Sequence, residues 1–164
     1  MKNLLQTLCG LFLVVFYSSC MNSGDSRVDV LIVGGGASGV TSGIQAACMG
    51  ANTLILEETT WLGGMLTSAG VSAVDGNYRL PAGLWGEFKN RLSDYYGGLD
   101  SLKTGWVSNV LFEPSVGNKI FHEMVSAEKN LKVWKQTRLE EVKRVGDEWI
   151  AKVNVEGQGM KTVR

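Results

Sequence analysis

Residues 28–58 read VDVLIVGGGASGVTSGIQAACMGANTLILEE, and their pattern decides the fold. The apolar run Val28 to Val33, interrupted only by Asp29, has the composition of a strand buried on both faces. Gly34, Gly36 and Gly39 follow at G-x-G-x-x-G spacing, with Gly35 between the first two. A helix of mostly small residues is expected from Ser38 to about Met49, punctuated by Gly50. Thr53 to Leu56 is a second apolar run, and it delivers Glu57 and Glu58. Strand, glycine turn, helix, strand and acid, in that order, specify a dinucleotide-binding βαβ unit rather than a glycine-rich turn in some other α/β unit.

Each residue type has a physical task. At Gly34 the chain leaves the strand in a tight turn that a Cβ would obstruct. Gly36 carries no side chain to hold a pyrophosphate away from the backbone. Gly39 lets the helix lie close to the strands, and Gly43, Ala46 and Ala47 continue that small face. Ala37 and Ser38 open the helix, whose unpaired N–H groups and positive dipole end suit phosphates. Glu57 follows Gly39 by 18 positions, close to the spacing of about 20 at which a carboxylate meets a ribose diol. Gly34 to Gly39, with Glu57 and Glu58, are therefore the candidate cofactor-binding residues of the first loop.

A second glycine pair, Gly63 and Gly64, comes directly after the acids and is followed by Met65, Leu66, Thr67 and Ser68. Free N–H groups and hydroxyls at such a loop can wrap a phosphate or approach a flat ring closely. A plain connecting turn is the simpler reading of the pair alone, and its place beside the fingerprint favours the first.

The start of the chain reads as an exported leader. Lys2 precedes an apolar segment from Leu4 to Tyr17, broken only by Gln6, Thr7 and Gly10 and too short for a stable membrane span. Ser18 and Ser19 lead to Cys20, so residues 1–19 look like a bacterial lipoprotein signal with Cys20 as the lipidated first residue; an ordinary signal peptide with an incidental cysteine is the alternative. Residues 20–27 are then a polar tether, and 28–164 one domain. Cys48, on the packed helix, is expected to be a buried small residue, so no disulfide framework is present. Sixteen basic residues balance 16 acidic ones, which leaves no electrostatic footprint for nucleic acid. No metal-ligand cluster is present.

After the second loop, Asp75-Gly76-Asn77 predicts a turn between two short strands. Residues 82–96 predict a helix burying Leu84, Trp85, Phe88, Leu92 and Tyr95, with Glu87 and Arg91 paired outside and Gly97-Gly98 as its stop. Residues 100–112 read as a loop or irregular strand. Pro114 opens another helix, whose stripe is Val116, Ile120, Phe121, Met124 and Val125. His122, the only histidine, lies on its solvated face with Asn118 and Ser126. Leu131 to Trp134 predicts a third strand. Leu139 to Val145 and Trp149 to Val155 predict a hairpin across Gly146-Asp147, and Met160 to Arg164 begin another strand. The expected class is α/β: a Rossmann-type parallel sheet with a small antiparallel meander, incomplete at its C-terminal end.

The fingerprint, together with WLGGMLTSAGVSAVDGN at 61–77, resembles FAD-dependent oxidoreductases of the glutathione-reductase-like superfamily, and within it a bacterial group labelled xanthan lyase-like. The resemblance implies an FAD-binding domain in which Gly34, Gly36 and Gly39 approach the pyrophosphate and Glu57 binds the adenosine ribose. Gly63 and Gly64, with Met65 to Thr67, would line the path from phosphate to flavin. It also implies a later strand that closes the site and a substrate domain, so 28–164 is expected to be the N-terminal part of a longer protein. An FAD-dependent oxidoreductase of the cell envelope is the leading reading. An NAD-dependent dehydrogenase on the same unit and a non-enzymatic envelope lipoprotein on a degenerate fold are the alternatives. Asp75, Tyr78 and His122 have no partner at a telling spacing, so no catalytic residue is named. The partners expected are a small or glycan-related substrate and a membrane reached only through the lipid on Cys20.

Overall fold

The computed structural model describes residues 26–74, 76, 78–103, 106 and 108–164. Strands β1 (Val30–Val33), β2 (Thr53–Leu56) and β3 (Leu131–Trp134) form a parallel sheet in the order β1-β2-β3. Thr53 pairs with Val30 on one side and with Leu131 on the other. Three helices, α1 (Ala37–Cys48), α2 (Gly83–Tyr96) and α3 (Pro114–Ser126), accompany it. Strands β4 (Thr137–Val145), β5 (Glu148–Val155) and β6 (Gly159–Val163) make a separate antiparallel meander.

The two-residue period of a strand sets the layers. Ile32, Ile55, Leu131 and Val133 pack among Val40 and Ile44 of α1, Phe88 and Leu92 of α2, and Ile120 and Phe121 of α3. Leu31, Leu54, Leu56 and Trp134 turn the other way, onto Ala151, Val153, Val155 and Val163 of the meander. All four residues of β2 are buried, as a strand covered on both faces requires. Burial of each such large apolar side chain contributes about 1.5–3 kcal/mol.

Several elements differ from the sequence reading for local reasons. β1 begins at Val30, because Asp29 turns its carboxylate to accept the Asn52 N–H at 2.8 Å. In α2, Phe88 and Leu92 are buried as expected, but Tyr95 is 53% exposed, with the Lys119 ammonium 5.1 Å from its ring centroid. The buried face is instead shifted toward Gly86 and Lys89, against which the Tyr78–Pro81 stretch folds: a Cβ on Gly86 would lie 2.3 Å from the Pro81 carbonyl oxygen. The Glu87–Arg91 pair forms at 2.8 Å, and Gly97 ends the helix at φ 79°.

Asp75 and Asn77, the expected hairpin turn, lie outside the described residues. The segment before them pairs elsewhere. Phe112 N–H donates to Ser72 O and Val74 N–H to Val110 O, around an antiparallel bridge between Ala73 and Leu111. The α3 stripe is buried at all five expected positions. The hairpin forms across Gly146-Asp147, with Ala151, Val153 and Val155 inward, although Trp149 is 61% exposed beside the turn. Cys48 is exposed, not buried. Its thiol donates to Glu128 Oε1 at 3.3 Å, and that carboxylate raises its pKa. Ser26 and Arg27, read as tether, join the packed region: Ser26 bridges to Val163, and Arg27 pairs with Glu148 at 3.0 Å.

Candidate cofactor site

β1 runs into Gly34, whose φ of 100° L side chains rarely adopt. From there Gly36 caps α1 in extended conformation, with φ −63°. A Cβ on Gly36 would meet nothing within 4 Å, whereas one on Gly39 would lie 1.9 Å from the Gly34 carbonyl oxygen. The two glycines thus do different things: Gly39 allows the helix to press on the turn, and Gly36 leaves a gap. Gly43 extends the close approach, since a Cβ there would lie 2.7 Å from Ile55 Cδ1. No side chain caps the start of α1, and its first turn holds no acidic residue. Its first N–H groups and positive dipole end therefore suit an anion beside Ala37 and the exposed Ser38.

Glu57 is only 9% exposed, and backbone donors orient it. Its Oε2 accepts the Gly35 N–H at 2.7 Å and its Oε1 the Thr59 N–H at 2.7 Å. A carboxylate has about four lone-pair sites, so roughly two remain for hydroxyls. Gly35 therefore faces inward: its N–H is committed to Glu57, and a Cβ on it would strike Leu62 Cδ2 at 2.8 Å. Glu58 is exposed.

The second glycine loop packs against the first. Gly63 N–H donates to Gly35 O at 2.8 Å, and Gly63 and Gly36 form a parallel bridge. Gly63 and Gly64 take φ of 105° and 53°, and a Cβ on Gly64 would come within 3.0 Å of Gly36 Cα. Backbone meets backbone here with no side chain between. Met65 is 69% exposed beside this point. Thr67, expected to face a ligand, is 1% exposed; its hydroxyl donates to Leu62 O at 2.6 Å and holds the loop.

Three residues of this region carry no sequence signal. Asn118, read as a solvated polar position of α3, is half-buried and accepts the Leu62 N–H at 2.9 Å, across 56 residues of sequence. Thr59 donates to Glu57 and accepts from Gln136 N–H at 3.2 Å. Gln136, beyond β3, is the only non-glycine with positive φ among the described residues. Its strain is offset by bonds to Thr59 and to Glu156. His122 is half-buried with Nε2 3.4 Å from Lys135 Nζ; burial, then the Lys135 charge, hold its pKa below the ordinary 6.5. Tyr78 bonds Arg79, and neither Tyr78 nor His122 bonds a residue of the glycine loops.

A groove of about 700 Å³ lies elsewhere, on the meander side of β1 between Leu31, Val33, Leu139, Val142 and Trp149. It includes no residue of either glycine loop. Among the described residues, no group of three His, Cys, Asp or Glu side chains could hold a metal ion. No described helix is long and apolar enough to cross a membrane.

An open gap at Gly36, an uncapped helix start and an oriented buried carboxylate together fit the phosphates and ribose of a dinucleotide. The profile of FAD dependent oxidoreductases matches residues 29–164. The chain belongs to that family. Family membership makes FAD the dinucleotide of this fold. No protein of curated function matches the sequence. Among solved structures, p-nitrophenol 4-monooxygenase PnpA from Pseudomonas putida is similar at a TM-score of 0.52 and 14% identity, over 85% of this chain and 39% of that one. CabE, an aromatic hydroxylase from angucycline biosynthesis, is similar at 0.58 and 15%, over 85% and 30%. PieE, a flavin-dependent monooxygenase solved with FAD and substrate, is similar at 0.52 and 16%, over 85% and 29%. Identities this low show the fold. The chain spans between 29% and 39% of the length of these three proteins.

Proposed function

We propose that this chain holds the pyrophosphate and ribose end of FAD in an oxidoreductase of the bacterial cell envelope. The observation that carries the reading is the contact of the two glycine loops, where Gly36 and Gly64 meet without side chains beside the uncapped start of α1. On this reading Gly36 admits the pyrophosphate, and the N–H groups of Ala37, Ser38 and Gly39 face it. The unused lone pairs of Glu57 accept the ribose hydroxyls, while Glu58 stays in solvent. Gly34 and Gly35 shape the turn from beneath, and Thr67 holds Gly63, Gly64 and Met65 along the next part of the cofactor. When bound, FAD supplies the redox step through its flavin ring.

The test is the colour of the purified full-length protein. Absorbance at about 450 nm, the property of an oxidised flavin, is expected. A colourless protein that takes up no added FAD refutes the reading. The envelope assignment rests on the leader and Cys20, and a tightly held prosthetic group suits an exported enzyme better than a diffusible nicotinamide does. Cys20→Ser is expected to release the protein from membranes; continued membrane association refutes lipidation there.

A further inference from the structure

We propose that Asn118 is a positioning residue of the cofactor site: from α3 it fixes where the second glycine loop stands against the first. The inference rests on the reading above, that Gly36 and Gly64 border the pyrophosphate.

Leu62 is held through both of its backbone polar groups. Its N–H donates to Asn118 Oδ1 at 2.9 Å, and its carbonyl accepts the Thr67 hydroxyl at 2.6 Å. Leu62 itself is fully buried, so no solvent replaces either bond. Positions 117, 118 and 121 share one face of α3, and that face is fitted to the loop. A Cβ on Gly63 would lie 2.6 Å from Phe121 Cε2. A Cβ on Gly117 would lie 2.6 Å from Phe112 Cε2 and 3.2 Å from Thr67 Cγ2. Two glycines, one on each partner, therefore let loop and helix close on each other, and Asn118 supplies the bond that sets their register. The next residue after Leu62 is Gly63, whose own N–H reaches Gly35 O at 2.8 Å. Two residues, Leu62 and Gly63, thus link Asn118 to Gly35, the chain neighbour of Gly36.

Two readouts test this in the full-length protein. Asn118→Ala removes the acceptor and is expected to speed hydrogen exchange at the Leu62 amide by about tenfold and to weaken FAD binding by a similar factor. Asn118→Asp keeps an oxygen at the same place. At about 0.3 M salt, which screens its added charge, it is expected to restore both values to within about threefold of wild type. Leu62 exchange unchanged in Asn118→Ala overturns the proposal, as does Asn118→Asp binding FAD as poorly as Asn118→Ala with its Leu62 amide protected. Because the exchange measurement needs no flavin, a wild-type protein that takes up no FAD would refute the cofactor reading alone.

Discussion

Gly39 and Gly36 separate fold from binding, and two alanine substitutions expose the difference. In Gly39→Ala the new Cβ would sit 1.9 Å from the Gly34 carbonyl oxygen and 3.1 Å from its carbon. Non-bonded carbon and oxygen atoms approach to about 3.3 Å, so α1 or the turn must move by roughly 1.4 Å. The obstacle is backbone on both sides, which puts the cost near the upper end of overpacking, about 3 kcal/mol. At 2–4 °C per kcal/mol for a chain of about this size, Tm should fall by roughly 6–12 °C. Gly36→Ala meets open space at φ −63° and ψ 176°, a conformation any residue adopts. Restricting the unfolded chain there should leave Tm unchanged or raise it by an amount worth up to about 1 kcal/mol. Its methyl would nonetheless occupy the gap proposed for the pyrophosphate, and it should raise the FAD Kd by at least about tenfold. Thermal melts of flavin-free protein and FAD titration by flavin fluorescence read the two effects. Wild-type Tm in Gly39→Ala would refute the close approach, and wild-type affinity in Gly36→Ala would place the phosphates elsewhere.

The same reasoning gives expectations at two other groups. Lys89, 7% exposed, donates to the Tyr78 carbonyl at 2.7 Å and the Leu80 carbonyl at 2.9 Å; Lys89→Met leaves both unpaired and should cost about 2 kcal/mol in a denaturant melt. An unchanged midpoint would show that water serves these carbonyls equally well. His122 has its pKa held below 6.5 in the folded chain, so the unfolded chain binds its proton first and stability declines as pH falls below that value toward the folded one. Comparing Tm at about pH 7.5 and about pH 5.5, His122→Gln should lose less on acidification than wild type, and equal losses would remove His122 from the account.

What could be read from residues alone was what depends on near neighbours. Thr53 to Leu56 shows as a strand because a threonine and three apolar residues in a row between turn signals fit a strand covered on both faces. The glycine turn shows because its constraints lie within six residues of each other. The α3 stripe shows because helical period places five apolar side chains together. Where the reading went astray, the deciding partner is distant. Tyr95 lost its place to Gly86 and Lys89 because residues 78–81 fold over α2. Asn118 looked like surface because nothing near it names Leu62. Cys48 is exposed because α1 ends where Glu128, from beyond α3, comes alongside. Residues 72–74 pair with 110–112 and not with a nearby strand. Glu57 was singled out by its spacing, but the two backbone donors that orient its carboxylate follow only from the fold.

The closing strand of the meander has a mechanical consequence. Ser26 N–H donates to Thr162 O, Arg164 N–H to Ser26 O, and Val28 N–H to Arg164 O, so the segment entering β1 runs parallel to the end of β6. A pull that drags residue 26 one way and residue 164 the other slides these two segments along their length. The three bonds then bear load side by side and give way together, where a peeling geometry would break them singly. Tension applied at residues 26 and 164 is carried by that clamp before it reaches the glycine turn.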